Sequence, residues 1–174
     1  MEINIPERHE YLKGEIVLMA GGTPNHNRIA GNLYANLNLA CKHKPYDIFI
    51  ADQRLWIPEK RIATYLDVLL VSGELQLQKG RKDTITNPLM IAEVLSVSTR
   101  NYNKDEKFAA YWTISSFQEY LLIDQYTNHV EHYYKTAPTS WVFSEYDNLG
   151  DIISFHSFAL QISLAELYDK VKFS

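Results

Sequence analysis

Two carboxylates lie inside runs of apolar residues, and they are the residues of this sequence that most directly suggest chemistry. Asp67 lies within the run Tyr65–Val71, and Glu93 lies within the run Leu89–Leu95. Runs of this length, rich in Val, Leu and Ile, predict strands that are covered on both faces. A buried carboxylate without a partner is costly. Two of them in neighbouring core strands therefore predict a cation between them, either a metal ion or a lysine.

A lysine near this pair would have to come from another element. The residue that shares a strand face with Glu93, two positions further on, is the apolar Leu95. The helix predicted to follow carries Lys104 and Lys107, which both flank Tyr111 on a helical wheel. Periodicity alone does not choose between the two lysines, and a helix lysine is more often solvated. The two carboxylates could likewise be structural acids paired with core groups.

A helix near the N-terminus is predicted to bring a histidine towards the sheet. Thr23 is suited to cap this helix and Pro24 to occupy its first position. Apolar residues recur every four positions and predict one buried stripe: Ile29, Leu33, Leu37 and Cys41. His26 continues that stripe one turn upstream and is expected to point inwards. A histidine in such a place is more often a core residue than a ligand.

The other elements alternate between strands and helices. Strands are predicted at Gly14–Ala20, Tyr46–Ile50, Gln53–Ile57, Glu119–Asp124, His129–Lys135, Trp141–Tyr146 and Ile152–Phe155. The second and third of these are predicted to form an extended strand or a hairpin arm that is closed by Pro58–Arg61, and Gly73–Asn87 is predicted to be a surface loop. Helices are predicted at Asn103–Ile114, capped by Asn103, and after the capping box that begins at Ser163. This pattern indicates an α/β or α+β sheet protein with a single domain over residues 1–174.

Composition narrows the class of protein further. Apolar residues make up 46% of the 174 residues and charged residues 22%, as in globular proteins. The sequence contains no run of 18 apolar residues, so no membrane span is expected. The N-terminus lacks the basic and apolar regions of a signal peptide. The single cysteine favours the cytoplasm. Residues 1–112 carry 14 Lys and Arg against 13 Asp and Glu, and residues 113–174 carry 3 against 8. Any contact with nucleic acid is therefore expected from the first two-thirds of the chain.

The remaining histidines give no metal motif by spacing. His129 and His132 are three residues apart in a predicted strand, so they point to opposite faces and do not form a zinc pair.

The order and spacing of several motifs resemble those of a known family. Asp67, then Ile91–Thr99, then Asp105–Tyr111 resemble the Uma-type restriction endonucleases of the PD-(D/E)XK nuclease superfamily. The resemblance extends to Gly14–Ile16, to His26 and to Glu119–Asp124, and it covers most of residues 11–135. The sequence departs from the family at Leu66 and Val97, where proline is usual.

The resemblance implies a restriction-endonuclease-like core, with a central mixed β-sheet flanked by helices. It implies that Asp67 and Glu93 hold a divalent cation, usually Mg²⁺ with Mn²⁺ as a possible substitute, assisted by the Val94 carbonyl. Oxygen ligands suit such an ion. The motif selects Lys107 as the lysine that orients or helps to deprotonate the attacking water. It also implies supporting positions near the metal for Glu15 and His26, although a glutamate at a strand start is often exposed.

These observations predict a metal-dependent endonuclease that hydrolyses phosphodiester bonds in DNA. Because one small chain offers one active site, cutting both strands of a duplex predicts a homodimer, with the aromatic C-terminal strands as a candidate interface. The alternative is a catalytically silent protein of the same fold that acts as a binding or interaction module. The two missing prolines and the acidic net charge of −4 favour this alternative, whereas retention of Asp67, Glu93 and Lys107 favours the enzyme.

Overall fold

The computed structural model describes residues 9–12, 15–18, 22–96 and 106–173, and it describes side chains from residue 22 onwards. The first half contains β1 (His9–Leu12), β2 (Glu15–Leu18), α1 (Pro24–Ala40), β3 (Tyr46–Ile50), β4 (Arg54–Ile57), β5 (Ile62–Tyr65), β6 (Val68–Ser72), β7 (Thr84–Ile85) and β8 (Met90–Leu95). The second half contains α2 (Phe108–Tyr111), β9 (Glu119–Asp124), β10 (Val130–Ala137), β11 (Ser140–Tyr146), β12 (Ile152–Ser154), β13 (Gln161–Ser163) and α3 (Leu164–Leu167).

The largest sheet has six strands in the order β11-β10-β9-β8-β6-β3. The central strands β8 and β9 run parallel, and the other neighbours are antiparallel, so the sheet is mixed as predicted. Every residue of β8 and of β9 is buried. Strands covered on both faces lose the alternation of polar and apolar residues, which explains the continuous apolar runs in the sequence.

The two faces of this sheet are covered by different layers. Alternate residues such as Leu70 and Ala92 pack with α1 and with the C-terminal segment around α3. The intervening residues, such as Leu69 and Ile91, pack with a second sheet and with α2. That second sheet has the order β2-β1-β5-β4-β7. The predicted mixed sheet with flanking helices is therefore confirmed, with the addition that strands cover much of one face.

Helix α1 forms as its sequence predicts. Thr23 has an extended backbone and its side chain accepts a hydrogen bond from the His26 N–H at 3.1 Å, which satisfies one of the free donors at the helix start. The four residues of the apolar stripe, Ile29, Leu33, Leu37 and Cys41, are all buried. Burial on this stripe fixes the side of the helix that faces the sheet.

The structure divides two of the strand segments that were predicted around Asp67. The run Tyr65–Val71 is not one strand, because β5 belongs to the second sheet and β6 to the first, and the chain crosses between them at Leu66 and Asp67. Asp67 therefore stands at the entry to β6 and not in the middle of a strand. The arm predicted over β3 and β4 is divided between the two sheets, since β3 pairs with β6. Its second half forms the predicted hairpin arm, because β4 pairs with β5 across the turn at 58–61. Ala51, with φ of 63°, turns the chain between these two sheets.

Smaller differences occur elsewhere. The predicted loop Gly73–Asn87 contains the buried strand β7, which runs parallel to β4. The predicted helix from Asn103 is observed as α2, and Asn103 itself lies outside the described residues. The capping box at Ser163 is present, but the helix it starts ends at Leu167. Among the described residues, no helix combines the length and apolar character needed to cross a membrane.

Candidate active site

The site forms where β6 begins and β8 ends, because these strands are antiparallel neighbours. Val68 lies opposite Ala92, so Asp67, one residue before β6, lies beside Glu93 and Val94. The backbone N–H of Val94 donates a hydrogen bond of 2.7 Å to Asp67 Oδ2. The side chain of Asp67 is 21% exposed to solvent. The carboxylate is therefore fixed to the second strand while it remains accessible to solvent.

Glu93 is buried, and its partners come from the segment that leads into α2. The Nζ of Lys107 lies 3.4 Å from Glu93 Oε1, and both side chains are buried. The Tyr111 hydroxyl donates a hydrogen bond of 2.8 Å to the same oxygen. Lys107 lies in a π-type helical turn, a wider turn that is frequent at functional sites. Of the two lysines that the periodicity left open, Lys107 contacts Glu93, and Lys104 lies outside the described residues.

His26 contacts the other carboxylate. Its Nε2 lies 3.3 Å from Asp67 Oδ1, so the first turn of α1 points towards the site as predicted. Burial by itself lowers the pKa of His26, but the hydrogen bond and charge of Asp67, together with the charge of Glu93, raise it above the usual value. Gly22 lies against this ring, because a Cβ at that position would come within 2.8 Å of His26 Nδ1. The close approach leaves room only for glycine if the imidazole keeps its position.

A glutamine that the sequence did not single out links the two parts of the site. The buried Gln125 donates from Nε2 to the carbonyl oxygen of Leu95, at the end of β8, over 2.8 Å. Its Oε1 accepts a hydrogen bond of 2.5 Å from the hydroxyl of Thr23, the residue that caps α1. Gln125 thus ties the strand that carries Glu93 to the helix that carries His26. Tyr111 was also missed, although the sequence placed both lysines beside it.

The remaining predicted site residues are Glu15 and Val94. Glu15 is the first residue of β2, and its side chain lies outside the described part of the chain. Val94 is buried in β8, and its N–H is the group that binds Asp67.

The donor set fits a hard divalent cation. The carboxylates of Asp67 and Glu93 and the Val94 carbonyl offer oxygen atoms only, the ligands that Mg²⁺ and Mn²⁺ accept most readily. The local potential is negative as well: burial, followed by the charges of Glu93 and Asp67, raises the pKa of the neighbouring Tyr120 well above its ordinary value. A cation is therefore favoured at this end of the sheet.

Comparison with known proteins supports the fold and identifies the family. A crystal structure from Anabaena variabilis, described as that of a "putative nuclease", superposes with a TM-score of 0.76 over 94% of this chain and 93% of the other, at 18% identity. The fold is therefore nuclease-like. Residues 1–166 match the Uma2 family, whose description is "Putative restriction endonuclease", and the chain belongs to that family.

Two proteins of Synechocystis are similar in sequence. The protein sll1609 is 42% identical over 139 residues, which cover 80% of this chain and 78% of the relative. The protein slr1290 is 30% identical over 172 residues, which cover 96% of this chain and 86% of the relative. The family and the structural neighbour together indicate a nuclease of the restriction-endonuclease-like class.

Proposed function

We propose that the protein is a metal-dependent endonuclease that hydrolyses phosphodiester bonds in DNA. The observation that carries the proposal is the convergence of Asp67, Glu93 and Lys107 where β6 begins and β8 ends. Asp67 and Glu93 would hold Mg²⁺, or Mn²⁺ in its place, together with the Val94 carbonyl. When bound, such an ion lowers the pKa of a water molecule and neutralises charge on the scissile phosphate.

The chain's own residues have distinct roles in this proposal. Lys107 orients the attacking water and stabilises negative charge on the phosphate, because its ammonium group is held beside Glu93. Tyr111 fixes the Glu93 carboxylate by its hydrogen bond. Val94 N–H and His26 hold the two oxygens of Asp67 from opposite sides. Glu15 remains a candidate for a supporting role on the strength of the family resemblance, and Lys104 remains one because helical periodicity also places it beside Tyr111.

We also propose that the chain acts as one domain and as a homodimer in the cytoplasm. Both buried clusters share the six-stranded sheet, which supports a single domain. Exposed aromatic side chains support an interface near β10 and β11. Trp112 and Phe143 are 52% and 47% exposed, and Trp112 stacks on Trp141. Aromatic residues are enriched at the buried centres of interfaces. The only cysteine, Cys41, is free and buried, as in a reducing compartment.

The test is nicking of supercoiled plasmid with and without Mg²⁺ or Mn²⁺. We expect metal-dependent nicking by the wild type that falls by more than about 100-fold in Asp67→Asn and in Lys107→Ala, since the loss of outer-shell groups alone costs 10–100-fold. Asp47→Asn and Lys60→Ala are matched controls, because both residues are exposed and lie outside the site. Equal nicking by the wild type and Asp67→Asn would contradict the assignment of the metal ligands.

A second candidate function is a non-catalytic binding module, and one observation favours it. Glu93 already has a cation and a hydroxyl group within contact distance, in Lys107 and Tyr111, and a buried ion pair of this kind can be purely structural. Calorimetric titration with Mn²⁺ separates the two functions. Binding that disappears in Asp67→Asn supports the enzyme, and the absence of both nicking and Mn²⁺ binding in the wild type supports the module.

A further inference from the structure

A second group of metal-ligating side chains lies on the hairpin formed by β10 and β11. Glu131 and Glu145 are directly opposite each other on these antiparallel strands. Glu131 is only 6% exposed, whereas the Glu145 side chain is 52% exposed. Like charges at directly opposed positions destabilise a sheet. A cation between them is therefore favourable, and this hairpin lies in the acidic last third of the sequence.

His129, immediately before β10, completes this group. Its Nε2 lies 3.8 Å from Glu131 Oε1 and 3.9 Å from Glu145 Oε1. One ligand atom from each of the three residues lies within 4.8 Å of the others. Bond lengths of 2.0–2.1 Å in a tetrahedral zinc site place neighbouring ligand atoms about 3.4 Å apart. A rotamer change of the exposed Glu145 side chain can bring its carboxylate into this range, and His129 Nε2, now 3.8 Å from Glu131 Oε1, has to approach it by only about 0.4 Å.

Outer contacts orient two of these ligands, as they do in protein metal sites. Asp147 Oδ1 lies 2.7 Å from His129 Nδ1, which leaves Nε2 directed at the two glutamates. The Tyr133 hydroxyl donates a hydrogen bond of 2.7 Å to Glu131 Oε2, on the side away from His129. A carboxylate on the far nitrogen of a histidine fixes the tautomer that binds metal and increases its basicity. This arrangement goes beyond a simple accumulation of acidic residues.

We propose that His129, Glu131 and Glu145 form a binding site for a divalent transition-metal ion of the Zn²⁺ class. One imidazole nitrogen and two carboxylates suit such an ion better than they suit Mg²⁺, which prefers oxygen alone. Leu122 lies between Glu93 and Glu131 in the sheet, so the two sites are two strands, or about 10 Å, apart. Metal ions that act together in hydrolysis are about 3.5–4 Å apart. The second ion therefore stabilises the hairpin formed by β10 and β11 and does not belong to the hydrolytic site.

The alternative is that a protonated His129 alone bridges the surrounding carboxylates. Zn²⁺ titration against a chromophoric chelator, combined with thermal melting, separates the two cases. The titration uses Asp67→Asn as the background, so that a failure of the first site does not affect the result. We expect one Zn²⁺ per chain in this background, with a melting temperature that rises on addition of Zn²⁺. Adding Glu145→Gln should weaken Zn²⁺ binding at least tenfold and remove the rise.

Glu74→Gln in the same background is the matched control, because Glu74 is an exposed glutamate remote from the hairpin, and it should bind Zn²⁺ as the background does. A His129→Gln variant should lose binding as Glu145→Gln does. The proposal is overturned if the background binds no Zn²⁺, or if binding is unchanged by both Glu145→Gln and His129→Gln. In either case the His129 ring acts only as a hydrogen-bonding partner of the carboxylates around it.

Discussion

Glu93 and Glu119 are both buried glutamates on the neighbouring parallel strands β8 and β9, yet their surroundings differ. Glu119 is at the start of β9 beside Met90, whereas Glu93 is near the end of β8 beside Leu122. Neither carboxylate is more than 3% exposed. The two residues therefore allow a comparison in which residue type, burial and strand environment are nearly constant.

Glu119 is held by donors that cannot move far. Its Oε1 accepts from the backbone N–H of His156 at 2.9 Å and lies 2.7 Å from His132 Nε2. Its Oε2 accepts from the backbone N–H of Ser157 at 3.0 Å and from the Ser157 hydroxyl. Burial raises the pKa of Glu119, but these hydrogen bonds outweigh burial and lower it. The network attaches the start of β9 to the segment that follows β12.

In the contacts that join Glu93 to α2, its partners are the side chains of Lys107 and Tyr111, and Asp67 beside them is open to solvent. Burial alone therefore does not distinguish a structural carboxylate from a reactive one. The type of hydrogen-bond donor does distinguish the two kinds of carboxylate. Backbone amide donors indicate a structural role, and an ammonium group beside a second carboxylate indicates a reactive one.

The largest effects come from exchanging the two carboxylates for amides. Glu93→Gln should reduce nicking by more than about 100-fold, because it removes a proposed metal ligand, while the protein stays folded. Glu119→Gln should lower the free energy of unfolding by about 3 kcal/mol, because it breaks a buried network of hydrogen bonds to a carboxylate, while the folded fraction still nicks. Urea denaturation and plasmid nicking on both variants measure the two effects. A Glu119→Gln protein that is folded but does not nick plasmid would contradict the purely structural role of Glu119.

An intermediate effect concerns pH. Because the pKa of Glu119 is lowered in the folded protein, from an ordinary value of 4.5, its stabilising contribution is fully present above about pH 4.5. That contribution is lost as the pH falls through the folded-state pKa, at about 1.4 kcal/mol per unit of lowering. Urea midpoints between pH 6 and pH 3 should therefore fall less steeply in Glu119→Gln than in the wild type. Parallel curves for the two proteins would show that Glu119 does not carry this dependence.

The smallest effect comes from the position of His26. In Gly22→Ala the new Cβ would come within 2.8 Å of His26 Nδ1 and 3.2 Å of Asn27 Oδ1, so the imidazole must move away from its place beside Asp67. We expect nicking to fall by about tenfold, within the range that small misplacements cause. Gly31→Ala is the control: nothing lies within 4 Å of its Cβ, and alanine within α1 should add about 0.5–1 kcal/mol of stability. Equal nicking rates in Gly22→Ala and Gly31→Ala would show that His26 does not position Asp67.

Local sequence patterns predicted those parts of the fold that depend on local chemistry. The Thr23 cap, the stripe of α1, strand β9 and the Ser163 capping box all follow from neighbouring residues. The sequence also predicted that Asp67 and Glu93 lie beside each other, because both runs had the composition of buried strands, although Asp67 precedes β6 and is not part of a strand. The catalytic roles of these residues remain predictions.

The missed features depend on contacts between distant parts of the chain. The strands β5 and β6 are separate because they join different sheets. A continuous apolar run does not predict which sheet each part of it will join. Gln125 is one polar residue after a strand, and its partners Thr23 and Leu95 are 102 and 30 positions away. The group at His129 was hidden because Glu145 comes from the next strand, and spacing along one strand reveals only Glu131.

The contacts that hold α1 in place determine when the site is completed during synthesis. The side chain of Asn25 donates to the Lys172 carbonyl, and that of Asn32 donates to the carbonyls of Leu167 and Asp169. The helix that presents His26 is thus held by residues that are synthesised after every other described part of the site. A nascent chain can already contain Asp67, Glu93 and Lys107 and still lack these contacts, so the order of translation delays the finished site until residues 167–172 have been made.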